Sequence, residues 1–418
     1  MFRESECWLH RTRLGAVAVA LLLPLACATG APVRVPDAPY RPPYVPRADD
    51  EVLQSVPAAA NPGVREYRKL RADLDADPKS FPTAVALARA YVDFGRRLGD
   101  AHYAGYAEAV LAPWIAAASP PVDALIVQAT ILQFRHEFDG ARRLLDQALA
   151  RDPRNAQAWL TKATLDMAQG DYRAAESGCR GVARAAGFAL GTACNGSLRS
   201  YLGQARQSVA MLKSIEDGGS GASPTYKAWI QGMLAESYER LGEWSAAEAC
   251  YRKALAFVPD DNFLLVAYAD FLLDRGRPAE VLDLLAQSSA SDTAFLRIAL
   301  AHAALKRPDA SRYVWIMAAR FEGLAQRGSD YFGRERVRFA LHLQHDPVTA
   351  LALAERNWEV QRAPWDARVF LEAALAADRP EAAAPVLEFL ERTRLEDSTI
   401  DALARKIRAR RDNAFAAR

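Results

Sequence analysis

The sequence predicts an all-α protein, a superhelical solenoid of roughly eight to nine helix–turn–helix units. Three observations predict it. From about residue 64 the apolar residues recur at helical spacing, and no run alternates with period two as a half-buried strand would. A small or aliphatic residue returns every 34 residues along most of that length. Hydrophobic residues make up 51% of the 418-residue chain and charged residues 25%, which is ample for a continuous core. Lys+Arg number 53 against 51 Asp+Glu, a net charge of +2, which argues against a nucleic-acid binder with its basic footprint.

The elements follow in chain order. Residues 1–27 have the form of an export signal. Arg3, Arg11 and Arg13 precede an apolar run, Leu14 to Ala26, that is too short to span a bilayer as a helix of about 20 residues. Two processing sites compete. Ala26-Cys27-Ala28 fits the small-x-small pattern of ordinary cleavage. Leu23-Pro24-Leu25-Ala26-Cys27 resembles a bacterial lipobox, with Pro24 and Leu25 departing from the usual Leu and small residue, and makes Cys27 a lipidation candidate. Residues 28–63 read as a linker. Eight prolines between Pro32 and Pro62 favour extended polyproline II over packed structure. Tyr40 and Tyr44 give it a second reading as a polyproline ligand. No later stretch approaches about 18 uninterrupted apolar residues, so the sequence predicts no further membrane helix.

Residues 64–395 carry the repeat. In 241–259, Leu241-Gly242-Glu243-Trp244-Ser245-Ala246-Ala247 is followed by Tyr251, Ala254 and Pro259. Gly ends one helix, a small Ala lets two helices touch, an aromatic follows one turn on, and Pro ends the second helix. Tyr238 falls at the aromatic position of the helix before. Steps of 34 residues lead from Ala107 to Ala141, Ala175 and Val209. The next step, to Ala247, is 38 residues and contains the Gly-Ser insertion at 218–222. Val281 lies 34 further, Ala350 69 beyond that, and Ala383 33 after Ala350. Trp159, Gly170, Ala175 and Cys179 keep the same phase, and Ala148 and Pro153 close the unit before.

These residues resemble the tetratricopeptide repeat family, whose period is about 34. The resemblance covers roughly 80–395, strongest in 122–188 and 228–285, weakest in 190–225 and 292–345. The first unit departs from the family in an apparent longer inter-helix loop, Gly99 to Tyr106. One hairpin cannot bury its apolar face alone, so neighbours stack, and contacts confined to neighbours predict fast folding. Residues 396–418 are expected to supply a capping helix, about 397–411, with Arg405, Arg408 and Arg411 on its polar face and a basic tail. A solvated cap and a surface for anionic lipid headgroups are the two readings of that face.

The resemblance implies a concave groove lined by the first helix of each pair, which takes peptides or helices. Family positions place Trp229, Glu236, Glu239 and Arg240 on one such surface and Phe263, Asp270 and Asp274 on the next. Aromatics among acids suggest a partner with basic and apolar side chains. The competing reading makes the aromatics core and the charges ordinary solvated surface. The family's clamp for acidic chaperone tails needs Asn where Thr130, Thr164, Glu236 and Asp270 stand, so that ligand is not expected. Cys179 falls on the second helix of one unit and Cys194 on the first of the next, which stack. A disulfide and two small buried apolar side chains are both open for this pair.

Chemistry-bearing motifs are few. His342, His345 and Asp346 could share a helix end, short of the three or four converging ligands a metal needs. Glu216-Asp217-Gly218-Gly219-Ser220-Gly221 lacks the Lys-Ser/Thr ending of a phosphate loop and reads as a linker. No Gly-x-Ser-x-Gly or His-Glu-x-x-His motif is present. The sequence therefore names no catalytic, cofactor or metal residue and points to a non-enzymatic scaffold in the bacterial cell envelope, anchored through Cys27 if lipidated. A periplasmic glycan- or peptide-binding module is the alternative. A divergent hydrolase or transferase using His302, His342 or His345 stands behind it.

Overall fold

The computed structural model describes residues 62–217, 222–288, 291–326 and 333–416. The signal, Cys27, and the linker with Tyr40 and Tyr44 lie outside the described residues, as do the glycines at 218–221. Among the described residues there are helices and turns and no strand. Among the described residues, helix α1 (Pro62–Ala76) leads into nine helical hairpins. The first four pair α2 (Phe81–Leu98) with α3 (His102–Ile115), α4 (Val122–Phe134) with α5 (Phe138–Arg151), α6 (Ala156–Ala168) with α7 (Tyr172–Ala186), and α8 (Phe188–Tyr201) with α9 (Ala205–Lys213). The next four pair α10 (Pro224–Arg240) with α11 (Trp244–Phe257), α12 (Asn262–Asp274) with α13 (Pro278–Leu284), α14 (Asp292–Ala304) with α15 (Ala310–Gln326), and α16 (Gly333–His342) with α17 (Pro347–Val360). The ninth joins α18 (Pro364–Ala376) to α19 (Ala384–Thr393) through a 3₁₀ turn at Pro380–Ala383, and α20 (Ser398–Ala416) follows.

Each of the nine hairpin turns contains one residue in the left-handed region. Glycine fills it at Gly99, Gly170, Gly203, Gly242 and Gly276, while His136, Lys306, His345 and Asp378 adopt it without that freedom. The reversal lets the second helix fold back on the first. Side-chain caps start many helices: Asn155 accepts from the Ala158 amide, Asp171 from Ala174, Asp261 from Leu264 and Asp346 from Thr349.

The small-residue phase holds where two helices touch most closely. Ala141, Ala175, Ala247, Val281 and Ala350, each fourth in its helix, are fully buried. Two expectations need correction. In α9 the fourth residue is Ser208, fully buried with its hydroxyl 3.0 Å from that of Ser237, and Val209 is only half-buried. The long first loop is also absent, because α3 begins at His102, whose amide donates to Asp100 at 2.9 Å. In the irregular stretch the fourth position of α15 is Tyr313, which stacks on His302 at 3.8 Å between ring centroids. A ring at the small-residue position is what obscures the repeat there.

The expectation of purely local contacts also fails. One apolar core joins α6, α7 and α8 to α16 through α20. Phe389 of α19 meets Tyr172 of α7 at 5.9 Å between ring centroids, and the Arg362 amide donates to the Ala168 carbonyl at 2.8 Å. A Cβ on Gly203 would stand 1.9 Å from the Arg394 carbonyl oxygen, so the α8–α9 turn approaches the end of α19 more closely than any side chain allows. At the other end Arg96 of α2 pairs with Asp261 at the start of α12, at 2.8 Å. The array is bent until its C-terminal units pack against its middle. Cys179 and Cys194 form a disulfide within this core, tying α7 to α8 with Cα atoms 5.4 Å apart.

Candidate protein-interaction site

Helix α12 carries the inner stripe of the bend. Phe263, Val266, Asp270 and Asp274 recur at helical spacing along one face. Each meets something different, because different parts of the chain arrive opposite.

At the middle of the stripe, Asp270 is 4% exposed. It accepts from Arg297 Nε at 2.9 Å and Nη2 at 2.7 Å, and from Arg338 Nη1 at 2.6 Å. Burial pushes this carboxyl up, but the two guanidiniums outweigh it and hold it well below the ordinary carboxylate range. Glu335, also buried, lies 3.5 Å from Arg297 and 3.2 Å from Arg334, and is held at about 2 by those charges against burial. Asp366 completes the cluster, accepting from Asn357 at 2.9 Å and from the Ala363 amide at 2.9 Å. Charges this deep persist because each has partners.

At the C-terminal end of the stripe, Asp274 takes a two-pronged ion pair from Arg368 of α18, at 2.5 and 2.6 Å. Arg368 also reaches Glu372 at 2.8 Å and lies over the Trp365 ring. Glu236, Glu239 and Arg240 of α10 open onto the same place, a hole of about 30 Å³ closed by Trp365, Arg368, Asp397 and Ile400. Four carboxylates and three guanidiniums line it. Burial, with Glu236 and Asp274 nearby, pushes Glu239 up to about 8, although it accepts a hydrogen bond from the Tyr251 hydroxyl at 2.5 Å. Arg240 donates to Ser200 at 2.6 Å, stacks over Tyr201 and keeps a longer contact of 3.5 Å to Glu236. The sequence placed these acids toward a partner; in the fold they face the chain's own α16, α18 and α20.

At the N-terminal end the stripe is open. Phe263 is 59% exposed. It stands with Val266 in a cleft of about 300 Å³, faced by Val92 and Arg96 of α2, by Phe134, Arg135 and His136 at the end of α4, and by Arg334 and Glu335 of α16. Phe134 is 40% exposed. Burial lowers the His136 imidazole to about 4, outweighing the upward pull of Glu335, so the ring is neutral at physiological pH. Trp229 lies elsewhere, half-buried against the core of its own and neighbouring hairpins, with its ring edge toward Tyr226. Of the seven residues the sequence offered for partner binding, the fold leaves Phe263 in an open cleft. The residues it adds, Phe134-Arg135-His136, had one signal in the sequence: an aromatic and two basic residues where five of the other hairpin turns carry glycine.

Family models for the tetratricopeptide repeat match residues 135–187 and 228–271. In these two stretches the chain is similar to tetratricopeptide repeats. The stretches span α5 to α7 and most of α10 to α12, inside the two regions where the 34-residue phase is clearest. No curated protein matches the chain. Among solved structures, a thermophilic TPR protein of Thermus thermophilus is 22% identical over 44% of this chain and 99% of its own, with a TM-score of 0.37. A tetratricopeptide repeat protein from Parabacteroides merdae is 15% identical over 68% of this chain and 98% of its own, with a TM-score of 0.34. A chain of the APC/C hetero-tetramer Cut9-Hcn1 is 14% identical over 74% of this chain and 52% of its own, with a TM-score of 0.40. These likenesses concern the fold alone. Tetratricopeptide repeats are generally protein-binding scaffolds, and no catalytic family is indicated.

Proposed function

We propose that this chain is a non-enzymatic scaffold of the bacterial cell envelope, anchored through Cys27, that takes a segment of a partner protein into the cleft beside Phe263. The observation that carries this reading is the division of the α12 stripe. Asp270 and Asp274 are engaged by Arg297, Arg338 and Arg368 of the same chain, while Phe263 and Phe134 stand exposed in the lining of one cleft. Large apolar side chains lining a concave opening are the usual anchor points for a partner. The signal-like residues 1–27 support an envelope location.

The test is photocrosslinking in cells. Benzoylphenylalanine is placed at Phe263 and, separately, at Val348 of α17, which is 72% exposed and outside the cleft. A discrete adduct from position 263, absent from 348 and recovered with membranes unless Cys27 is changed to Ser, supports the proposal. Absence of any adduct from 263 removes the cleft as the binding place.

A further inference from the structure

The cleft's lining also bears on what it accepts, granted that it binds a partner segment. We propose that the occupant is an extended peptide segment carrying a carboxylate side chain next to a large apolar one. The apolar requirement comes from Phe134, Phe263, Val92 and Val266, which line one opening of about 300 Å³. That volume is at the low end for a ligand pocket, enough for one large side chain and its flanking backbone.

The charge requirement comes from counting what is already engaged. Two carboxylates line the cleft. Asp100 accepts from the His102 amide at 2.9 Å and contacts its ring at 2.7 Å, and Glu335 is buried between Arg334 and Arg297. A lysine entering the cleft would meet one exposed carboxylate, Asp100, whose Oδ1 already takes both His102 contacts, against three guanidiniums of its own sign. Three guanidiniums also line it, Arg96, Arg135 and Arg334. A guanidinium has five N–H donors. Arg135 directs Nη1 and Nη2 to Glu108 at 3.3 and 2.7 Å, and Arg334 directs Nε and Nη2 to Glu335 at 3.4 and 3.2 Å. Each has donors beyond those contacts for an incoming carboxylate, and a bond to a charged acceptor is about twice as strong as a neutral one. This reverses the preference drawn from the sequence: the acids that suggested a basic partner are neutralised within the chain, and the part of the stripe left open is walled by arginine.

Three blocked peptides test it by isothermal titration against the full chain: acetyl-Gly-Glu-Phe-Gly-amide, its Gln analogue and its Lys analogue. The expected order is Glu over Gln by about tenfold, one charge-assisted hydrogen bond, with Lys weakest. Arg135→Gln should narrow the Glu–Gln difference with the melting temperature held, since its Glu108 partner is itself partly exposed. Phe263→Ser, at an exposed position, should weaken all three while the melting temperature holds. Equal binding of the three, or tightest binding of Lys, overturns the charge assignment and leaves the cleft a binding site. No binding of any peptide, while position 263 still crosslinks a partner, overturns the proposed occupant and keeps the scaffold. Failure of the crosslink as well removes both.

Discussion

At the scale of single residues, the inner face is governed by how buried charges are shared out. Glu239 is the clearest case, held at about 8 by burial and by Glu236 and Asp274. The unfolded chain gives up that proton near the ordinary value of about 4.5. Between those two values unfolding releases a proton, so stability should decline as pH rises from about 4.5 to about 8. Glu239→Gln removes the titration and can still accept from Tyr251. Thermal melts from pH 5 to 9 should show the native chain losing stability relative to the Gln variant across that window. Parallel curves would mean that Glu239 is ionised in the folded state. None of this was legible in the sequence. Glu236, Glu239, Asp270 and Asp274 have the spacing of a solvated acidic face, and what engages Asp270 and Asp274, Arg297, Arg338 and Arg368, lies in later helices that no local pattern connects to α12.

At the scale of elements, the sequence was a better guide. Helical spacing, the 34-residue step, and the Gly and small-residue positions follow from one hairpin packing on the next, and each depends on residues close in the chain. Legibility failed where a residue type departs from the position's usual occupant: Ser208 and Tyr313 at the close-contact position, and His136, Lys306, His345 and Asp378 in turns. The turn residues give a prediction. Lys306 is exposed with φ 51°, a conformation a side chain opposes and glycine does not. Lys306→Gly should stabilise the protein by about 0.5–1 kcal/mol, measured by urea unfolding. A loss of stability would show that the α14–α15 turn does not adopt this geometry. The Cys179–Cys194 pair belongs at this scale too, since the stacking of consecutive hairpins is what brings α7 and α8 together.

At the scale of the whole molecule, the bend that brings α16 to α20 against α6 to α12 decides which surfaces are available. A linear solenoid would present Trp229, Glu236, Asp270 and Asp274 along one groove. Here most of that stripe is packed against the same chain, and the remaining opening lies between the first hairpins and α12. The cause is distributed over small features that individually look ordinary: glycines at 170 and 203 that admit Phe389 and the Arg394 backbone, and a Trp365–Arg368 pair that reaches Asp274. Long-range closure of this kind should also slow folding relative to a linear array of equal length.

The most direct test of that closure is a double-mutant cycle between Asp274 and Arg368, which lie 94 positions apart in the chain. Asp274→Asn, Arg368→Gln and the double variant are compared by denaturant unfolding. A closed array predicts a coupling energy of about 1 kcal/mol or more, the range for residues in one ion-pair network. Additivity within about 0.3–0.5 kcal/mol is what independent sites give, and it would mean that Asp274 faces an open groove and that the array does not fold back on itself.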